Sequence, residues 1–179
     1  MAKKDNQLIE LIGEYRTKVD GKGRVGLGHF GQQLGDQVVA IKMDGYLMLV
    51  RPEMYSTISN GIRQRAAIDS PDNARRLFDQ TILEFKRRFY ANSQPVTLDN
   101  QGRMTVPARM REELHLVSDV VWAGCGEMLE LWQAKEYDDR EASWRKQGGP
   151  AKMIDIFADA PSPEANDDGL ADDDPQDQV

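Results

Sequence analysis

One cysteine, two histidines and no apolar run of bilayer length narrow what this 179-residue chain can be. The lone Cys125 excludes an internal disulfide and suits a reducing compartment. The longest local apolar runs, such as Tyr46 to Val50, are strand-sized, whereas a membrane helix needs about 20 residues. Lys3 and Lys4 stand near the N-terminus without the apolar stretch of a signal peptide, so the expected location is the cytoplasm. His29, His115 and Cys125 are too few and too badly spaced for a zinc site. No Ser or Cys sits beside a recognisable base signature. Neither a metal, a cofactor nor an enzymatic role is expected.

An overall basic excess is also lacking: the net charge is -7. Its placement changes its meaning. From Asp155 to Val179 there are nine acidic residues and no Lys or Arg, which leaves 21 acidic and 23 basic residues in 1–154, a net of +2. The tail is rich in Pro, Asp, Ala and Gln with almost nothing to bury, so it reads as disordered. Two roles fit it: a solubilising segment, or an electrostatic competitor of nucleic acid for a basic surface.

The rest of the chain is hydrophobic enough for a packed interior and is written twice. Val19-Asp20-Gly21-Lys22-Gly23-Arg24-Val25 matches Leu98-Asp99-Asn100-Gln101-Gly102-Arg103-Met104 at an offset of 79. Val39, Leu47, Leu49 and Tyr55 match Val121, Leu129, Leu131 and Tyr137 at an offset of 82. The three-residue difference falls where loops and a short helix are expected. Asp-x-x-Gly has the preferences of a type I turn followed by a left-handed Gly, a common hairpin connection. Alternating residues flank it, from Arg16 to Val19 and from Val96 to Leu98. In copy two a short helix opens at Pro107 with Met110 and Leu114 on one face; copy one keeps the pair as Phe30 and Leu34 without the proline. Hydrophobic hairpins close both copies, Val38–Ile41 with Tyr46–Val50 and Val120–Ala123 with Met128–Trp132, turning at Asp44-Gly45 and Gly124-Cys125-Gly126. Helices are expected over 53–66 and 72–90, the second with Leu77, Phe78, Ile82, Phe85 and Phe89 on one face, and a closing helix over 134–146. Neither copy, at about 45 residues, buries enough surface alone, so the two are expected to share a core.

Gly21-Lys22-Gly23-Arg24-Val25-Gly26 spells G-x-G-x-x-G, but its strand is half polar and the eleven residues before Val38 leave no room for a crossover helix, so a dinucleotide site is rejected. A Walker A loop fails because Gly, not Ser or Thr, follows Gly21-Lys22. In the paired turns, Asp20, Gly23, Asp99 and Gly102 are structural: Asp holds the loop or orients Arg, and Gly supplies the backbone. Arg24 and Arg103 leave the turns in equivalent positions, from which a guanidinium can grip phosphate or fork onto guanine. Arg16, Lys18 and Lys22 add charge beside the first turn, and Arg109 and Arg111 beside the second. The bland alternative makes both arginines solvated or ion-paired strand residues.

With these residues in view, the chain resembles the MraZ family of bacterial transcriptional regulators, marked by two Asp-x-x-x-Arg motifs in tandem swapped-hairpin units of the SpoVT-AbrB type. The resemblance spans roughly Leu11 to Tyr137 and is best over Thr97–Arg111. Copy one departs from the family pattern after Arg24, with Gly28 and Phe30-Gly31-Gln32 where a proline and then an arginine stand. The resemblance implies an α+β fold, with unit 1 over 9–55, connecting helices over 56–92 and unit 2 with the closing helix over 93–147; the disordered acidic tail expected over 148–179 lies outside it. It further implies a nucleoid-associated, usually repressing regulator that forms a ring-like homo-oligomer. Such a regulator reads short direct repeats in double-stranded DNA, often upstream of cell-division and cell-wall genes. Two other functions compete: an interaction scaffold on the same fold without DNA binding, and an antitoxin whose tail wraps a toxin, against which the two copies in one chain argue.

Overall fold

The computed structural model describes residues 10–65, 80–149 and 151. The chain forms an α+β fold of eight strands and five helices among these residues. Copy one contributes β1 (Glu14–Lys18), β2 (Arg24–Gly26), α1 (Phe30–Leu34), β3 (Gln37–Lys42), β4 (Tyr46–Val50) and α2 (Pro52–Arg65). After α3 (Gln80–Ala91), copy two repeats the order as β5 (Ser93–Thr97), β6 (Arg103–Thr105), α4 (Ala108–Glu113), β7 (Asp119–Cys125), β8 (Met128–Gln133) and α5 (Ala134–Lys146). The expected helices at 53–66 and 134–146 correspond to α2 and α5. The expected 72–90 helix is described from Gln80 onward; Leu77 and Phe78 lie outside the described residues, as does the acidic tail. The chain divides into two compact units at Glu141, and the features below belong to the first.

Six strands form one antiparallel sheet in the order β1-β7-β8-β4-β3-β5. The first strand of each copy crosses over to the hairpin of the other. β1 pairs with β7, setting Arg16 opposite Val121, and β5 pairs with β3, setting Val96 opposite Val38. The two hairpins meet at the centre, Leu47 opposite Leu131 and Leu49 opposite Leu129. β2 and β6 leave this sheet and pair with each other as a separate two-stranded ribbon. The local hairpin expected around each Asp-x-x-Gly turn is therefore not a ladder. One backbone bond closes each turn, Asp20 N–H to Arg24 O and Asp99 N–H to Arg103 O (both 2.8 Å), before the two arms part to different partners.

Strand alternation sorts the apolar residues onto two faces. One face, with Val38, Ala40, Leu47, Leu49, Val120, Trp122, Leu129 and Leu131, packs beneath the ribbon and the short helices in a core drawn from both copies. The other face carries Val39, Ile41, Met48 and Val50, with Met54, Tyr55 and Phe89 from α2 and α3 against them. Phe30, Leu34, Met110 and Leu114 are all buried, so copy one's short helix forms despite lacking the proline. The second hairpin turns later than expected. Gly124 and Cys125 belong to β7, and the reversal falls at Gly126-Glu127. The chain at Leu11 runs across Gly124 so closely that a Cβ there would meet Leu11 O at 2.3 Å. That backbone crossing keeps Gly124 in a strand rather than a turn.

Candidate nucleic-acid interface

Each turn is built by one aspartate that uses both carboxylate oxygens. Oδ1 of Asp20 accepts the backbone N–H groups of Lys22 and Arg24, both at 2.9 Å, while Asp20 O accepts Gly23 N–H at 2.9 Å. Oδ2 accepts Nε of Arg24 at 2.8 Å and lies 2.7 Å from Nη2. The second turn repeats this. Asp99 Oδ1 takes Gln101 N–H at 2.9 Å and Arg103 N–H at 3.0 Å, and Oδ2 takes Arg103 Nε at 2.9 Å. Gly23 and Gly102 have φ of 77° and 67°, the left-handed region in which a side chain is disfavoured. The backbone N–H and guanidinium of Arg24 hold the Asp20 carboxyl down at about 2. The guanidinium of Arg103, then its backbone N–H, lowers that of Asp99. Asp therefore both holds the loop and orients Arg in this geometry.

The ribbon puts the two arginines on one surface. Arg24 stands opposite Thr105, Val25 opposite Met104 and Gly26 opposite Arg103. Val25 and Met104 are each 1% exposed and point into the core, so alternation turns Arg24 and Arg103 outward together. They are diagonal neighbours, whose separation in such a pair is roughly 7–8 Å. Gly26 lies beside the second arginine, where a Cβ would make ordinary contact with Arg103 Cγ at 3.9 Å. Each arginine side chain keeps 34% of its surface in solvent, and each partner aspartate 39%. These carboxylates are exposed, not buried. A guanidinium fixed at Nε and one face of Nη2 still directs its remaining N–H groups outward. Below the ribbon, the buried Trp122 donates Nε1–H to Gly26 O at 2.9 Å and ties it to the large sheet.

The other basic residues divide. Arg16, on the edge strand β1, is held by Glu14 (2.6 Å) and by Asp138 of α5 (2.7 Å), and lies over the ring of Tyr137. Lys18 faces Asp119 at 3.4 Å. Arg109 pairs with Glu113 at 2.8 Å, and Glu113 also takes Lys42. Among the described residues, the side chains of Lys22 and Arg111 have no carboxylate partner. Arg111 is not beside the second turn as expected. Its guanidinium lies on Gly23 of the first turn, where a Cβ would fall 1.5 Å from Nη1. The physical reason is the antiparallel ribbon: the chain leaving β6 arrives where β2 begins, and Val106 N–H bonds Gly23 O at 2.9 Å. Sequence reasoning missed Trp122, whose indole could be read only as core, and Asp138 and Glu113, which meet their basic partners across the fold. No group of three or more His, Cys, Asp or Glu that could hold a metal ion occurs among the described residues. No helix there is long and apolar enough to cross a membrane.

Fold and surface together define a duplicated α+β protein that carries a small arginine-bearing ribbon over a six-stranded sheet formed by both copies. Residues 89–150, the second copy, match the family model described as "MraZ protein, putative antitoxin-like". A protein named transcriptional regulator MraZ from Alkaliphilus oremlandii is 29% identical over 130 residues, covering 72% of this chain and 84% of that protein. One of the same name from Heliobacterium modesticaldum is 29% identical over 154 residues, covering 82% of this chain and 98% of its own. Another, from Natranaerobius thermophilus, is 29% identical over 131 residues, covering 72% and 85%. The second copy thus matches the MraZ family model, and most of the chain is similar to proteins named transcriptional regulator MraZ.

Proposed function

We propose that this chain is a transcriptional regulator that binds double-stranded DNA through the β2–β6 ribbon. The observation that carries the reading is that Arg24 and Arg103, each braced by its own aspartate, point outward together from one two-stranded ribbon. Two-stranded ribbons fit the major groove, and arginines held in a fixed fork suit phosphate or guanine edges. Lys22 and Arg111 add charge at the first turn, while Arg109, paired with Glu113, and Arg16 and Lys18 belong to the proposal only as neighbours of the turns. The relatives' name supports regulation of transcription. In this reading the units are tandem swapped hairpins of the AbrB type, supported by the crossing of β1 and β5 between copies. The chain acts in the cytoplasm at the nucleoid as a repressor and assembles into a ring. It reads short direct repeats upstream of cell-division and cell-wall genes, a target set that rests on the family resemblance alone.

One chain offers few charges, and a ring would multiply weak contacts through effective concentration. Binding is then dominated by phosphate neutralisation and falls steeply with salt. The test is binding to the DNA upstream of the protein's own gene across a salt series, with Arg24→Ala and Arg103→Ala. Each variant is expected to lose at least roughly tenfold in affinity, the scale of a lost charged hydrogen bond. Wild-type binding by both would overturn the proposal and leave the Asp–Arg pairs as turn structure on an interaction scaffold.

A further inference from the structure

The two arginine turns share one backbone but differ in charge. At turn one, Lys22 stands where turn two has the neutral Gln101. The larger difference comes from the short helices. The apolar pairs Phe30/Leu34 and Met110/Leu114 align the helices at an offset of 80, which sets Gly31 against Arg111. The structure gives these two residues the same relation to the opposite turn. Arg111 lies on Gly23, and Gly31 lies on Gly102, where a Cβ added to Gly31 would meet Gly102 Cα at 3.4 Å. The strand-exit hydrogen bonds obey the same symmetry, Val106 N–H to Gly23 O at 2.9 Å and Leu27 N–H to Gly102 O at 3.0 Å. Arg111 covers its glycine: Gly23 is buried, while Gly102 stays partly open.

Arg24 and Arg103 are each neutralised by their own aspartate. The unpaired side-chain charge beside the turns therefore collects on Lys22 and Arg111, both at turn one, and the corresponding positions at turn two carry none. We infer that turn one, completed by Arg111 from copy two, is the primary phosphate grip, and that turn two is a weaker secondary contact. The ribbon would then sit on a duplex with a defined polarity, its charge-rich end fixed to the backbone. This deepens the DNA-binding proposal and rests on it.

The full-length chain and a duplex from upstream of its own gene are the materials of the test, with thermal melts to confirm that each variant is folded. Arg111→Ala is expected to weaken binding roughly tenfold at low salt, and to make the slope of log affinity against log salt shallower by about 0.9. Lys22→Gln, at an exposed position that touches no packing, should shift the slope in the same direction. Gly31→Arg is the gain-of-function arm. Its φ is not left-handed and a Cβ there makes only ordinary contact, so the substitution should supply the missing guanidinium and steepen the slope. Arg24→Ala should cost more than Arg103→Ala. If those two cost the same and Arg111→Ala and Lys22→Gln bind with the wild-type slope, DNA binding stands and the asymmetry is wrong. If Arg24→Ala and Arg103→Ala also bind like wild type, or wild type does not bind, both proposals fall.

Discussion

At Asp20 one side chain of four heavy polar contacts decides the shape of a seven-residue stretch. Its two oxygens serve different masters, Oδ1 the backbone and Oδ2 the guanidinium of Arg24. A neutral side chain could serve the first role but not the second with equal strength, because the guanidinium bond is charge-assisted. The consequence is testable by pH. The Asp20 carboxyl titrates at about 2 in the folded chain, below its unfolded value of about 3.9. Its contribution to stability is thus fully present above about pH 4, and is lost as pH falls through about 2. A carboxyl-detected NMR titration should place the Asp20 midpoint near 2, and Arg24→Ala should raise it toward the ordinary range. An Asp20 midpoint near 4 in wild type would show that the brace does not form in solution. Asp99 should move in the same direction when Arg103 is replaced, since that guanidinium is the leading cause of its depression.

Among the elements, the ribbon is too short to hold itself. Each strand has three residues, and an isolated two-stranded hairpin is marginal in water. Its support comes from below, through Val25, Met104 and the indole of Trp122. Trp122→Phe keeps most of the apolar volume but leaves Gly26 O without its partner, which should cost about 2 kcal/mol of stability. Amide exchange at Arg24 and Arg103 should accelerate more than exchange in β4 and β8. Equal acceleration everywhere would mean that the ribbon and sheet melt as one unit. The short helices show the same dependence on packing. With five and six residues they lie far below the length at which helices persist alone, and Phe30 and Met110 pin them to the shared core.

For the whole molecule, the exchange of first strands makes each copy depend on the other. Without copy two, β1 and β4 lose β7 and β8, and β3 loses β5. Cutting the chain between the copies should therefore give two fragments, 1–79 and 80–179, that are each unfolded by far-UV circular dichroism. Mixed, they should recover the strand signal with a concentration-dependent midpoint. An independently folded fragment would contradict the interleaved sheet. The pairing of β2 with β6 across the copies likewise explains why the Arg111 guanidinium lies on the turn of the other copy, and so why the two arginine turns differ in charge although their own sequences are so alike.

Much of this was legible in the sequence because it is local or periodic. The duplication followed from matched spacing, the turns from Asp and Gly preferences, the hairpin strands from apolar runs, and α5 from the Gln147-Gly148-Gly149-Pro150 stop. For Asp20 and Asp99 the sequence left two roles open, holding the loop or orienting the arginine; the hydrogen bonds give each carboxylate both. Only the tertiary structure decided which strands pair, because a strand's alternation specifies its buried face but not its neighbour. It alone kept Gly124 in a strand, tied Trp122 to Gly26 and moved Arg111 from the second turn to the first. Those outcomes depend on contacts between residues distant in the chain, and sequence spacing carries no record of them.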